Sequence, residues 1–129
     1  FNQPFTVCVI DINDLKQVND VFGHNVGDLY LKHFSNTILK HIDKDAVFSR
    51  TGGDEFIITF PKKTKNEVVQ FQHHIQKHFE KEPLYYKKRP LHIKYGCGMV
   101  EFPLDGKDIN ELIKKADQLM YHHKMVQKS

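Results

Sequence analysis

Hydrophobic positions change period several times along this chain, and each change marks an element. Phe5-Thr-Val-Cys-Val-Ile10 is apolar at both odd and even positions, the pattern of a central strand covered on two faces. It stops at Asp11-Ile-Asn-Asp14, after which Leu15–Phe22 reads as a short helix with Asn13 or Asp14 available as N-cap. Gly23-His-Asn-Val-Gly27 interrupts that helix, and a longer one is expected to open at Asp28, with Leu31, Phe34, Ile38 and Ile42 as its buried stripe. Two apolar runs follow, around 46–50 and 55–60. Joined through Gly52-Gly53, they read as a β-hairpin whose glycine pair tolerates the positive φ of a tight turn.

Pro61-Lys-Lys-Thr-Lys65 is a loop, and Thr64 or Asn66 can cap the next helix, whose stripe is Val68, Phe71, Ile75 and Phe79. Pro83 ends it, and Tyr85–Pro90 reads as a strand edge and turn. His92–Val100 is a strand carrying Gly96 and Gly98, which point to close backbone approach or a bulge. After a loop at Phe102–Gly106, a last helix from about Asp108 to Met125 presents Ile109, Leu112, Ile113, Ala116 and Met120. This order predicts an α+β fold, ferredoxin-like or palm-type, with a mainly antiparallel central sheet flanked by helices.

Composition narrows the class only a little. The 129 residues are enough for one domain, and 40% hydrophobic with 27% charged residues is ordinary for a globular chain. A net charge of +3 with scattered basic residues argues against a nucleic-acid partner. No run approaches a membrane span and no signal peptide is visible, so a cytoplasmic location is expected, with membrane anchoring left to the full-length protein. Cys8 and Cys97 lie in strand-like runs and read as buried reduced thiols. Phe1-Asn-Gln-Pro leads straight into a strand without a start methionine, as in a domain taken from a larger protein.

The candidate chemistry sits where strands end. Asp54 and Glu55 stand at the mouth of the second hairpin strand, and neighbouring strand residues face opposite ways unless a turn bends them together. Should the first strand lie beside this hairpin, Asp11 and Asp54 converge. Two carboxylates and the Ile12 carbonyl then suit Mg²⁺, with Mn²⁺ as a substitute. Backbone N–H groups of Asp14 and Leu15 can receive phosphates at a helix N-terminus, and Lys16 adds positive charge. That equipment fits phosphoryl or nucleotidyl transfer. The plainer readings are solvated turn residues and a helix cap. His74 and His78 are one turn apart but lack a third ligand in the sequence, and read as solvent face. Lys124 and Lys128 read as complements to a helix C-terminus.

Three stretches carry a more specific resemblance: Asp11-Ile-Asn-Asp-Leu-Lys-Gln-Val-Asn-Asp-Val-Phe-Gly-His-Asn-Val-Gly-Asp28, Arg50-Thr-Gly-Gly-Asp-Glu-Phe56, and Ala116-Asp-Gln-Leu-Met-Tyr-His-His-Lys124. Together they resemble the GGDEF family of bacterial diguanylate cyclases, which condense two GTP into cyclic di-GMP. The resemblance implies Mg²⁺ on Asp11, the Ile12 carbonyl and Asp54, with Glu55 and Asp54 as catalytic carboxylates. It further implies guanine recognition by Asn19 and Asp28, Leu31 against the base, and triphosphate contacts from Lys16, Lys124 and Lys128; Asp14, Leu15 and Gly53 complete the expected substrate-binding set. A carboxylate accepts from guanine N–H groups and an amide donates to O6, so the Asn19–Asp28 pair is chemically apt.

The resemblance also implies one GTP per domain, turnover across a homodimer, and an upstream sensory or dimerisation region. A catalytically weak GTP- or cyclic di-GMP-binding regulatory module is the alternative, and a relaxed cyclase that also takes ATP is disfavoured by Asp28. Two departures stand out. The family's RxxD inhibitory site is replaced by Asp43-Lys-Asp-Ala46, which removes the ground for product inhibition there, and its Ser-x-Gly strand reads Gly96-Cys-Gly98.

Overall fold

The computed structural model describes residues 3–128, with side chains through 126. Ten elements follow one another: β1 (Phe5–Ile12), α1 (Leu15–Phe22), α2 (His24–His41), β2 (Val47–Arg50), β3 (Glu55–Pro61), α3 (Lys65–Lys81), β4 (Leu84–Tyr86), β5 (Arg89–Leu91), β6 (Tyr95–Phe102) and α4 (Ile109–Lys128). The main sheet has the order β2-β3-β1-β6 with every pair antiparallel, and β4-β5 forms a separate two-stranded ribbon. This is the α+β architecture with a mainly antiparallel sheet that the sequence predicts.

Both faces of β1 are covered, which explains its unbroken apolar run. Its even positions Cys8, Ile10 and Ile12 join Phe56, Ile58 and Phe60 in the principal core under α1, α2 and α3. Phe34 sits at the centre of that core, 0% exposed, with Phe56, Phe79 and Tyr95 around its ring. The odd positions Val7 and Val9 face the other way, packing with Val100 against Leu112, Ala116 and Met120 of α4. The sheet therefore separates two cores. Close contact with α4 needs the β6 glycines: a Cβ on Gly98 would overlap the Ala116 carbonyl and the Met120 nitrogen, so the approach foreseen for this strand is real.

Several boundaries differ from the sequence-based expectation. Helix α2 begins at His24, not Asp28, directly after Gly23 at φ 96. Gly27 is absorbed as a buried helical residue, because its missing side chain leaves room for Asn19. Neither Asn13 nor Asp14 caps α1 as expected: Asp14 occupies the N-cap in a left-handed conformation, φ 65, without a side-chain capping bond. Gly23 is the sole positive-φ glycine among the described residues, so Gly52 and Gly53 do not serve the turn in the expected way. The hairpin closes instead by a wider link, with Thr51 and Gly52 N–H groups donating to the Glu55 carbonyl at 2.9 and 3.4 Å.

Helix α3 has the capping box at Thr64 and Glu67. Strand β6 starts at Tyr95, not His92, because the Lys94 and His92 carbonyls turn to Asn13 N–H (2.8 Å) and the Tyr30 hydroxyl (3.2 Å). Ile109 is 49% exposed, since the glycine-lined strand pulls the face of Leu112, Ala116 and Met120 inward. His78 is half-buried with Glu82 at 3.0 Å, and the His41 ring lies 4.8 Å from it and 5.4 Å from His74. Even so, no three His, Cys, Asp or Glu side chains among the described residues are arranged to hold a metal. No helix among them is long and apolar enough to cross a membrane.

Because Phe34 has no surface to retreat to, Phe34→Ala is expected to cost about 3–5 kcal/mol. The exposed edge change Val47→Thr is expected to stay within about 0.5 kcal/mol, both read from urea unfolding midpoints.

Candidate active site at the acidic end of the sheet

Register builds the site. Asp11 lies opposite Glu55 on one side and Gly96 on the other, so all three share the sheet face that α4 covers. The Ile12 N–H donates to the Asp54 carbonyl at 2.8 Å, which fixes the turn carrying Asp54 against the end of β1. Arg50 holds the same turn from behind: its Nε donates to the Gly52 carbonyl at 2.9 Å and its Nη2 to the Gly53 carbonyl at 2.6 Å. A Cβ on Gly53 would meet nothing, so that glycine leaves open space before the acids. Asp54 and Glu55 do not diverge as strand neighbours would, because Asp54 still belongs to the turn. Both interact electrostatically with Asp11.

The Asp11 carboxylate is half-buried and split between two environments. Its Oδ2 meets Lys124 Nζ at 3.1 Å, whereas Oδ1 is buried with no hydrogen-bond partner. Burial raises this carboxyl above its ordinary value; Lys124 opposes the rise and Asp54 adds to it. Glu55 is raised as well, first by burial, then by Asp117 and Asp11, against the Thr51 hydroxyl. Asp117 on α4 and Arg50 are site residues to which the sequence reading gave no role. Both stood inside the quoted motifs, and that was the available signal.

Lys124 reaches Asp11 across β6 because Gly96 has no side chain; a Cβ there would overlap the lysine Cγ. The unexplained Gly96-Cys-Gly98 departure thus has a physical account at both glycines. An anionic oxygen held from water without a donor is what a cation would satisfy, so Asp11 and Asp54 with the Ile12 carbonyl fit Mg²⁺.

The remaining candidates cluster around α1. Asp14 is exposed and Leu15 half-buried against the core, while Lys16 is exposed on the first turn. With no side-chain cap, the first-turn N–H groups are left for another acceptor. Half-buried Asn19 lies against Gly27, which places it beside exposed Asp28 across the α1–α2 corner. Leu31 is 9% exposed and belongs to the principal core. Lys128 ends α4, and its side chain lies outside the described residues. The Tyr30 hydroxyl, within 3.4 and 3.2 Å of the Asn13 and His92 carbonyls, fixes the loop before α1; its burial pushes the phenol up to about 12.

The raised Asp11 carboxyl has a consequence for stability. The folded state keeps this proton to higher pH than the unfolded chain, so stability falls as pH rises between the two pKa values. Asp11→Asn is therefore expected to gain on the wild type as pH goes from about 4 to about 7 in chelator-treated buffer, read from thermal midpoints. A wild type that gains on the variant over that range contradicts the assignment.

Comparison with known proteins gives the chain's relatives. Residues 1–129 match the family profile described as "Diguanylate cyclase, GGDEF domain". Diguanylate cyclase DosC of Escherichia coli (strain K12) is 31% identical over 121 residues, covering 92% of this chain and 26% of that protein. The bifunctional diguanylate cyclase/cyclic di-GMP phosphodiesterase MucR of Pseudomonas aeruginosa is 29% identical over 123 residues, covering 95% of this chain and 18% of that protein. The chain thus spans well under half the length of these relatives. The active GGEEF domain of a diguanylate cyclase from Vibrio cholerae superposes with a TM-score of 0.86 at 28% identity, over 95% of this chain and 78% of that one. With its signature on the β2–β3 turn and its profile match over the full length, the chain belongs to the GGDEF family.

Proposed function

We propose that this chain is a diguanylate cyclase that joins two GTP into cyclic di-GMP with release of two pyrophosphates. The observation that carries the reading is the register of β1 and β3, which puts Asp11 opposite Glu55 with Asp54 bonded to the end of the same strand. Each new phosphodiester needs a 3′-hydroxyl that loses its proton while attacking an α-phosphorus. Glu55, whose raised carboxyl has more affinity for a proton than an ordinary one, is the group we assign to that hydroxyl.

The uncapped N–H groups of Asp14 and Leu15, together with Lys16, receive phosphate oxygens, and open space at Gly53 admits them. Asn19 and Asp28 read the guanine edge; with adenine the N6 amine would leave the Asn19 amide donor unpaired. Leu31 offers only its narrow exposed edge to the base. Lys124 exchanges Asp11 for the triphosphate when nucleotide arrives, and Lys128 is assigned alongside it. Bound at Asp11, Asp54 and the Ile12 carbonyl, Mg²⁺ or Mn²⁺ would neutralise phosphate charge. One domain holds one GTP, so turnover requires two copies face to face, brought together in the full-length protein by a preceding sensory or dimerisation region.

The test is incubation with Mg²⁺ and GTP, with products resolved by mass. Cyclic di-GMP is expected, at a rate rising more steeply than linearly with protein concentration. Glu55→Gln should slow it roughly 10²–10⁴-fold while calorimetric GTP binding stays nearly unchanged. Full activity in that variant would overturn the role given to Glu55, and nucleotide binding without product from the wild type would favour the regulatory module.

A further inference from the structure

The two glycines of β6 that face α4 serve different ends. At Gly98 an added Cβ would overlap backbone, the Ala116 carbonyl and the Met120 nitrogen, so that glycine sets how closely the helix lies on the strand. At Gly96 the overlap is with a side chain, the Lys124 Cγ first and its Cδ next at 3.1 Å; the Met120 carbonyl oxygen is 3.4 Å away, an ordinary contact. Gly96 has no positive φ, so its backbone would suit any residue. What its missing side chain leaves is a slot, and the stem of Lys124 fills it.

The slot has a destination. Gly96 pairs with Asp11 on the neighbouring strand, and through it Lys124 Nζ reaches Asp11 Oδ2 at 3.1 Å, with both side chains only 21% exposed. The turn of α4 that carries the lysine is tied to the same strand, because the Cys97 N–H donates to His123 Nδ1 at 2.9 Å. Asp54 and Glu55, which share this end of the sheet, add negative charge around Asp11. A tethered positive charge is thereby held on the carboxylate that the cyclase reading gives to the metal.

We propose that Gly96 is a positioning residue for the metal site: its bare Cα lets Lys124 dock on Asp11 as a tethered cation that competes with Mg²⁺ or Mn²⁺ until a nucleotide draws the lysine away. This rests on the cyclase reading only for the placing of a cation at Asp11 and Asp54. An ammonium and a divalent ion on one carboxylate repel each other, so the metal alone must expel the lysine from a half-buried ion pair. A triphosphate changes the balance, because its oxygens offer the ammonium another partner as the metal takes its place. The chain therefore loads metal with nucleotide rather than before it. If the pair served only to fasten α4 to the sheet, filling the slot would lower stability and leave the acids no readier for a metal.

The test is Mn²⁺ binding by the intact chain without nucleotide, read from the loss of the free Mn²⁺ signal in electron paramagnetic resonance. Gly96→Ala puts a methyl group where the lysine stem lies, and is expected to bind Mn²⁺ about fivefold tighter than the wild type, the weight of a favourable ion pair. Lys124→Met keeps the stem without the charge and should gain at least as much, which preserves the test if the alanine variant folds poorly. Adding Gly96→Ala to Lys124→Met should gain nothing further, since the glycine acts through the lysine. Asp11→Asn should abolish the gain in either background. Equal, Asp11-dependent affinity in the wild type, Gly96→Ala and Lys124→Met overturns the proposal and leaves the metal reading standing. Absence of Mn²⁺ binding in all three overturns both. A gain from Gly96→Ala that persists beside Lys124→Met overturns the part given to the lysine.

Discussion

Strand β1 is hydrogen-bonded on both edges and buried on both faces, and everything chemical in this chain is measured from its end. A strand so enclosed cannot slip by one residue without exchanging its two hydrophobic faces. Val7 and Val9 would then meet the aromatic core, while Cys8 and Ile10 would meet α4. The cost of that exchange locks Asp11 opposite Glu55 and Gly96. The acids are thus placed by packing at a distance from them.

Once placed, the carboxylates work against stability. Asp11, Asp54, Glu55 and Asp117 crowd one end of the sheet; burial raises both Asp11 and Glu55, Asp54 adds to the rise at Asp11, and Asp117 and Asp11 add to it at Glu55. Lys124 relieves part of this, and the relief depends on a missing side chain: Gly96 opens the path across β6. An end of a sheet that concentrates negative charge and leaves a buried carboxylate oxygen without a donor is a place that a bound cation would relieve.

The two faces of the sheet divide the chemistry. Carboxylates and Lys124 occupy the α4 face, whereas Cys8 and Cys97 lie on the face of α1, α2 and α3. His123 and Lys124 are adjacent on α4, yet one reaches the sheet edge at Cys97 and the other crosses Gly96 to Asp11.

Local pattern was enough to reveal the strand β1, the hairpin, the capped helix α3 and the apolar stripes, since each follows from periodicity and turn chemistry within a few residues. The three motif stretches supplied the family. What the chain alone did not disclose depends on contacts between distant residues. Gly27 reads as a helix breaker until Asn19 is seen lying on it, and Gly52-Gly53 as a tight turn until the Glu55 carbonyl closes a wider one. The parts of Asp117, Arg50 and Gly96, and the pairing of Cys97 with His123, likewise appear only in three dimensions. Sequence sets which groups are available and which faces must be buried; the register of β1 and the close approach of α4 decide which of them meet, because those are fixed by the packing of the whole sheet.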